Sequence, residues 1–162
     1  MAAGSTYEKI ATTTLSSTTY NITFSSIPNT YTDLILISSG NTLAGPTDNG
    51  VRFNNDSSTT CGLSALYGDG SSAQSYRTTA TYIPVNGLYW SGGNSLRIVQ
   101  IFNYANTNTY KTVLARCNNG NIVSANAGLW PVTSAINRID VFAGGSDFTA
   151  GSTFTLYGIT AA

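Results

Sequence analysis

Short runs of β-branched and aromatic residues recur along this chain, each closed by a cluster of Gly, Asn, Ser or Asp. No long stretch places apolar residues at the i, i+3, i+4, i+7 spacing of an amphipathic helix. This rhythm constrains the fold more than any other feature. Parallel strands need long crossovers, usually helical, and no segment supplies one. The chain is left with antiparallel sheet, closed as a sandwich or a barrel.

The runs predict strands at Tyr7–Thr14, Tyr20–Phe24, Leu34–Ile37, Val51–Phe53, Leu63–Tyr67, Thr79–Ile83, Leu96–Phe102, Tyr110–Arg116, Ile122–Trp130, Ile136–Phe142 and Thr153–Ile159. Leu34–Ile37 is apolar throughout, so that strand is expected to be buried on both faces. Asn49-Gly50, Asn86-Gly87 and Asn119-Gly120 are dipeptides of the kind that closes tight hairpins. Uneven loops and about ten strands favour an all-β fold, an antiparallel two-sheet β-sandwich of jelly-roll type. At 162 residues the chain has the length of one domain. Residues 7–162 are expected to form it, with residues 1–6 as a flexible N-terminal arm. Gly151 and Gly158 bracket the last strand and are expected to mark a turn and a close backbone approach. Tyr31 is placed to pack back over the turn at Ile27-Pro28.

Seven basic residues balance seven acidic ones, and charged residues are 9% of the chain. An ordinary soluble domain carries ~25%. Polarity comes instead from Thr, Ser and Asn, which together make up 59 of the 162 residues. Such a surface costs less to desolvate than a charged one, as suits a protein packed against copies of itself, a large partner or sugars. Nucleic acid is excluded as a partner, since phosphate neutralisation needs clustered Lys or Arg. No apolar run approaches the ~18 residues of a membrane-spanning helix. The opening Met-Ala-Ala-Gly-Ser-Thr lacks the basic and apolar regions of a secretory leader.

The chemistry-bearing residues are few. Histidine is absent, which removes the usual general base and the commonest metal ligand. Paired carboxylates are the remaining enzymatic option. Of Glu8, Asp33, Asp48, Asp56, Asp69, Asp140 and Asp147, most sit beside turns, where Asp caps backbone groups. Asn54-Asn55-Asp56 offers oxygen ligands, but one carboxylate falls short of a calcium loop. No catalytic residue, metal site or cofactor is expected. Cys61 and Cys117 read as reduced thiols that could pair only if their strands are neighbours. Trp130, before Pro131, is expected to be buried at a strand end. Tyr82, Tyr89 and Trp90 surround a loop containing Pro84, Gly87, Gly92 and Gly93. They are the candidates for a partner interface or for stacking on a sugar ring.

Three sets of segments carry a family resemblance. One is Tyr7-Glu-Lys-Ile-Ala-Thr-Thr-Thr-Leu with Ile22-Thr-Phe-Ser-Ser-Ile-Pro-Asn-Thr-Tyr-Thr-Asp-Leu; another is Val51-Arg-Phe-Asn-Asn-Asp. The third joins Ala127-Gly-Leu-Trp, Ala135-Ile-Asn-Arg-Ile and the ending Gly151-Ser-Thr-Phe-Thr-Leu-Tyr-Gly-Ile. The pattern resembles the small β-rich structural proteins of tailed-phage particles, of the type found in phages of cyanobacteria and marine bacteria. The resemblance implies a virion component made in the host cytoplasm and no catalytic residues. A capsid decoration (cement) protein is the first expectation, a homotrimer or other oligomer of itself seated on the major capsid protein. A tail-fibre module among tail proteins, recognising host surface glycan, is the alternative.

Overall fold

The structure, a computed structural model, describes residues 6–43, 49–85, 95–120 and 122–160. These form twelve strands: β1 (Tyr7–Thr14), β2 (Asn21–Phe24), β3 (Asp33–Gly40), β4 (Gly50–Phe53), β5 (Cys61–Gly68), β6 (Ala73–Ala80), β7 (Ile83–Pro84), β8 (Ser95–Phe102), β9 (Lys111–Asn119), β10 (Ile122–Trp130), β11 (Ile139–Phe142) and β12 (Thr153–Ile159). They make two antiparallel sheets. One has eight strands in the order β1-β12-β3-β8-β9-β10-β5-β6; the other has four, β2-β11-β4-β7. The all-β, two-sheet sandwich expected from the sequence is therefore the fold, with an eight-and-four division of strands. The chain changes sheet repeatedly, so neither sheet can form from one contiguous stretch.

The core lies between the sheets. Phe24, Phe53, Ile139, Val51 and Val141 of the small sheet face Leu36, Val99, Ile101, Phe154 and Leu156 of the large one, all buried. Each such side chain contributes roughly 1.5–3 kcal/mol on leaving water. The last strand lies between β1 and β3 and alternates as its sequence does, with Phe154, Leu156 and Gly158 inward. Gly151 occupies a turn with φ +84°, and Gly158 lies under the ring of Tyr31. Both glycines thus have the expected roles.

Several boundaries differ from the sequence reading, each for a physical reason. β6 covers Ala73–Ala80, whereas the expected strand began at Thr79; it is an edge strand, exposed on both faces, with no apolar alternation to reveal it. The segment expected from Ile136 enters the sheet only at Ile139. Asn54, in the left-handed region at φ +52°, takes the N–H groups of Asn137 and Arg138 on its Oδ1 and donates from Nδ2 to Ala135. That cradle holds the preceding residues out of the ladder. In β3, Leu34, Ile35 and Leu36 are buried, but Ile37 is partly exposed. Cys61 and Cys117 are both free, and β10 separates their strands. Strands two apart are ~10 Å from each other, too far for a disulfide.

Two cations are buried. Arg97 points into the sandwich, in register between Ser38 and Cys117; its Nη1 donates to Ser38 Oγ at 3.2 Å and its guanidinium lies over the Phe148 ring at 5.9 Å. Lys111 opens β9 with its Nζ donating to the carbonyls of Asn106, Thr109 and Thr133 at 2.6, 2.8 and 2.9 Å. Of residues 1–6, only Thr6 is among the described residues, and its carbonyl accepts a hydrogen bond from Thr160 N–H.

Candidate functional site

The outward face of the large sheet is unusually apolar. Residues of β10 alternate strictly: Ser124, Asn126, Gly128 and Trp130 point inward, and Val123, Ala125, Ala127 and Leu129 point out. β8 behaves likewise, with Arg97, Val99 and Ile101 inward and Leu96 and Ile98 outward. In register, Leu66, Ala125, Arg116, Ile98 and Ile37 form one row across five strands. Leu66, Leu96, Leu114, Val123 and Leu129 are between 38% and 64% exposed on this face. An open depression of about 640 Å3 lies over Leu66, Leu96, Ile98, Val123 and Ala125, with Arg116 at its side. A second, of about 470 Å3, continues past Leu129 and Ala127 to Arg77. Strands β5, β6, β8, β9 and β10 contain no Asp or Glu. Among the described residues the one ion pair joins Arg138 to Asp140, on the other sheet, so Arg116 has no carboxylate partner there.

The outward face of the small sheet is polar and aromatic. Phe142 is stacked by Tyr20 at 6.2 Å and 26°, met edge-on by Tyr82 at 4.9 Å, and covered by the Arg52 guanidinium at 5.1 Å. Tyr20 keeps half of its surface exposed. Beside this group, Arg138 clamps Asp140 and Thr23 donates to the same carboxylate at 2.6 Å. Desolvation pushes Asp140 up, but the bonds from Arg138 and Thr23 outweigh it and hold its pKa below the ordinary carboxylate value.

Tyr82 therefore belongs to an aromatic cluster and is half-buried in it. Tyr89 and Trp90 lie outside the described residues, as does Asp48. Trp130 is buried at the end of β10, edge-on to Phe53 at 5.5 Å, with its Nε1 donating to Asp56. The other Asp56 oxygen accepts from Ser58 and Thr59, so this acid closes a turn. Asp69 does the same for Ser71 and Ser72, and these bonds bring its pKa down to about 2. Asp33 accepts from Asn103 N–H. These acids are spent on backbone capping. Among the described residues no group of three metal-ligating side chains occurs. Burial, with the Asp56 charge behind it, pushes the Cys61 thiol up to about 11, far from nucleophilic range.

Neither the outward apolar face nor Tyr20 is among the candidates drawn from the sequence. The signal for the face was present: β8 and β10 carry apolar residues in both phases of their alternation, which a sheet with one wet face does not need. Tyr20 carried no local mark beyond strand alternation.

No family model and no curated protein matches the chain. Among solved structures, alginate lyase Aly36B is similar over 91% of this chain and 77% of its own, at 9% identity and a TM-score of 0.38. A protein of unknown function from Shewanella oneidensis MR-1 aligns over 96% of this chain and 77% of its own, at 10% identity and a TM-score of 0.25. A marine alginate lyase from Aplysia kurodai aligns over 84% and 72%, at 12% identity and a TM-score of 0.23.

Proposed function

We propose that the protein is a structural component of a tailed-phage particle that works by surface contact, as a decoration protein that cements the capsid. The observation that carries this reading is the apolar outward face of the eight-stranded sheet. Water-exposed leucine and valine on four adjacent strands contribute nothing to the core, and contiguous apolar patches of this kind mark contact sites. Five strands at ~4.8 Å spacing and eight residues at ~3.3 Å rise give a footprint of about 600 Å2. A specific interface takes ~800 Å2 from each partner, so this face supplies most of one. Arg116 defines the partner chemistry: an apolar surface carrying a carboxylate. The strands of this face carry no acid to set against Arg116 of a second copy, which favours the shell protein over self-docking here. Many copies on one shell would add avidity. The sequence resemblance to phage structural proteins agrees with this role, and no turnover is assigned.

The test is a comparison of particles with and without the protein. Cemented shells lose heat and osmotic resistance when it is removed, and Leu66→Asp with Val123→Asp fails to rebind them. Unchanged shell stability on removal would sink the proposal.

A second reading is favoured by Tyr20. A half-exposed ring beside Arg52, Arg138 and Thr23 offers a stacking platform rimmed by hydrogen-bonding groups, as a host surface glycan would require. On this reading the protein is a tail-fibre module. Tyr20→Ala then abolishes adsorption to host cells and leaves shell stability intact; under the first reading it changes neither.

A further inference from the structure

On the outward face of the small sheet the charges do not cancel. Asp140 lies in one row of the ladder between Thr23 and Arg52. Arg138 donates to both of its oxygens, from Nε at 3.1 and 2.9 Å and from Nη2 at 2.8 Å, and Thr23 donates at 2.6 Å. The carboxylate is thus fully occupied, and Arg138 balances its charge. Among the described residues that is the one ion pair, so Arg52 is left as an uncompensated cation on this face. Its guanidinium has one hydrogen-bond partner among the described residues, the Thr81 carbonyl, which Nε meets at 3.4 Å. The two terminal amino groups form the flat donor fork that fits an oxyanion.

That fork sits beside an aromatic surface. Phe142 carries Tyr20 stacked at 6.2 Å and the Arg52 guanidinium at 5.1 Å from the same ring centre. Gly50, opposite Phe142 in the ladder, makes room for this: a methyl group built there would stand 2.4 Å from the Tyr82 ring and 3.0 Å from that of Phe142. Tyr20 is 51% exposed, and Asn21 and Thr23 are exposed next to it on β2. Asn21 Nδ2 donates to Thr23 at 3.1 Å, which leaves its Oδ1 to accept from a hydroxyl group.

We propose that this platform binds an acidic sugar, with the pyranose ring on Tyr20 and its carboxylate or sulfate group in the fork of Arg52. The inference rests on the glycan reading above and narrows it. Charge complementarity selects the ligand: a neutral sugar would leave the Arg52 charge unmatched, and an anion without a ring would leave Tyr20 bare. Asp140, neutralised by Arg138, does not repel the incoming acid. The large sheet takes no part, so the shell-binding role stands or falls separately.

NMR titration of the full chain tests it. The probes are hexuronic acid trimers of several stereochemistries with their methyl esters, and a sulfated galactose trimer with its desulfated form. At least one acidic trimer is expected to bind about tenfold or more tighter than its neutral counterpart, as a charge-assisted bidentate hydrogen bond would give; the pair that shows the difference identifies the anion. Arg52→Gln removes the charge and brings the acid down to the affinity of the neutral form. Tyr20→Ala weakens both. Melting curves verify that each variant keeps its fold; should Arg52→Gln fail to, the acid-to-neutral ratio of the parent protein decides. Neutral trimers that bind as tightly as the acidic ones overturn this inference and leave the glycan reading standing, whereas no binding of any trimer overturns both. An acid preference that survives Arg52→Gln also overturns it.

Discussion

The ring of Tyr31 lies directly on Gly158: a methyl group built on that glycine would stand 2.2 Å from Tyr31 Cγ. Tyr31 N–H in turn meets the hydroxyl of Tyr104, which donates to the carbonyl of Pro28. Tyr31 and Tyr104 together thus tie the Ile27-Pro28 turn to the closing strand. Gly158→Ala forces the ring away and breaks this stack. Overpacking of this kind costs about 1–3 kcal/mol, or roughly 2–4 °C of Tm per kcal/mol at this size. Calorimetry on the variant checks it, and a Tm equal to that of the parent would show that the ring can move freely.

Acid should weaken the fold through Asp56. Hydrogen bonds from Thr59, Trp130 and Ser58 hold this carboxyl far below its ordinary pKa, against a smaller upward push from desolvation. Its folded value lies below its unfolded one, so its contribution is complete above the unfolded value near ~3.9 and is lost as pH falls through the folded value. Stability is expected to be flat from neutrality to about pH 5 and to decline below about pH 4. Asp56→Asn keeps an acceptor for Ser58 and Thr59 but sets an amide donor against Trp130 Nε1. It lowers neutral stability by about 1–2 kcal/mol and shallows the acid decline. Melting curves of both proteins between pH 2 and 7 measure this. Acid sensitivity left in the variant comes from Asp140 and Asp69, whose values are also held down.

Lys111 performs in this fold what a bound cation performs in other loop-rich proteins. Its ammonium gathers three carbonyls from two loops. Lys111→Met fills the same space and leaves those carbonyls without a donor. The expected loss is about 3 kcal/mol or more, read as a lower urea midpoint at constant m-value.

The outward leucines should be dispensable for folding. Leu66→Ser with Val123→Ser is expected to change stability by less than about 0.5 kcal/mol, whereas Leu36→Ala, in the core, costs about 2–5 kcal/mol. The same double variant should reduce the fluorescence of a dye that reports exposed apolar surface. An unfolded double variant would assign those side chains to the core after all.

Much of this architecture was legible in the residues. Val, Ile, Thr, Tyr and Phe runs located most strands, and Gly151 and Trp130 occupy the places their surroundings suggested; the ring of Tyr31, expected over the Ile27-Pro28 turn, lies on Gly158 instead. Legibility failed where alternation is silent or double. β6 is polar in both phases, so nothing local marks it as a strand; only pairing with β5 makes it one. In β8, the Leu96/Ile98 phase looks at least as apolar as the phase that begins with Arg97. Local pattern would bury the leucine and expose the arginine. The fold does the reverse, since the partners of Arg97, among them Ser38 and Phe148, come from distant segments. The candidate faces share this fault. Tyr20 and Phe142 are far apart in sequence and meet only because β2 pairs with β11. Tyr89 and Trp90, chosen for their aromatic loop, lie outside the described residues.

The pairing of β1 with β12 joins the first strand of the fold to the last. During translation β1 leaves the ribosome with no neighbour to bond, and it stays so until β12 has been made. Closure of that sheet is then a late, long-range event, the slow kind of step in β-rich folding. An interrupted or truncated product would display β3 as a bare, apolar margin, an invitation to clumping that chaperones would have to manage.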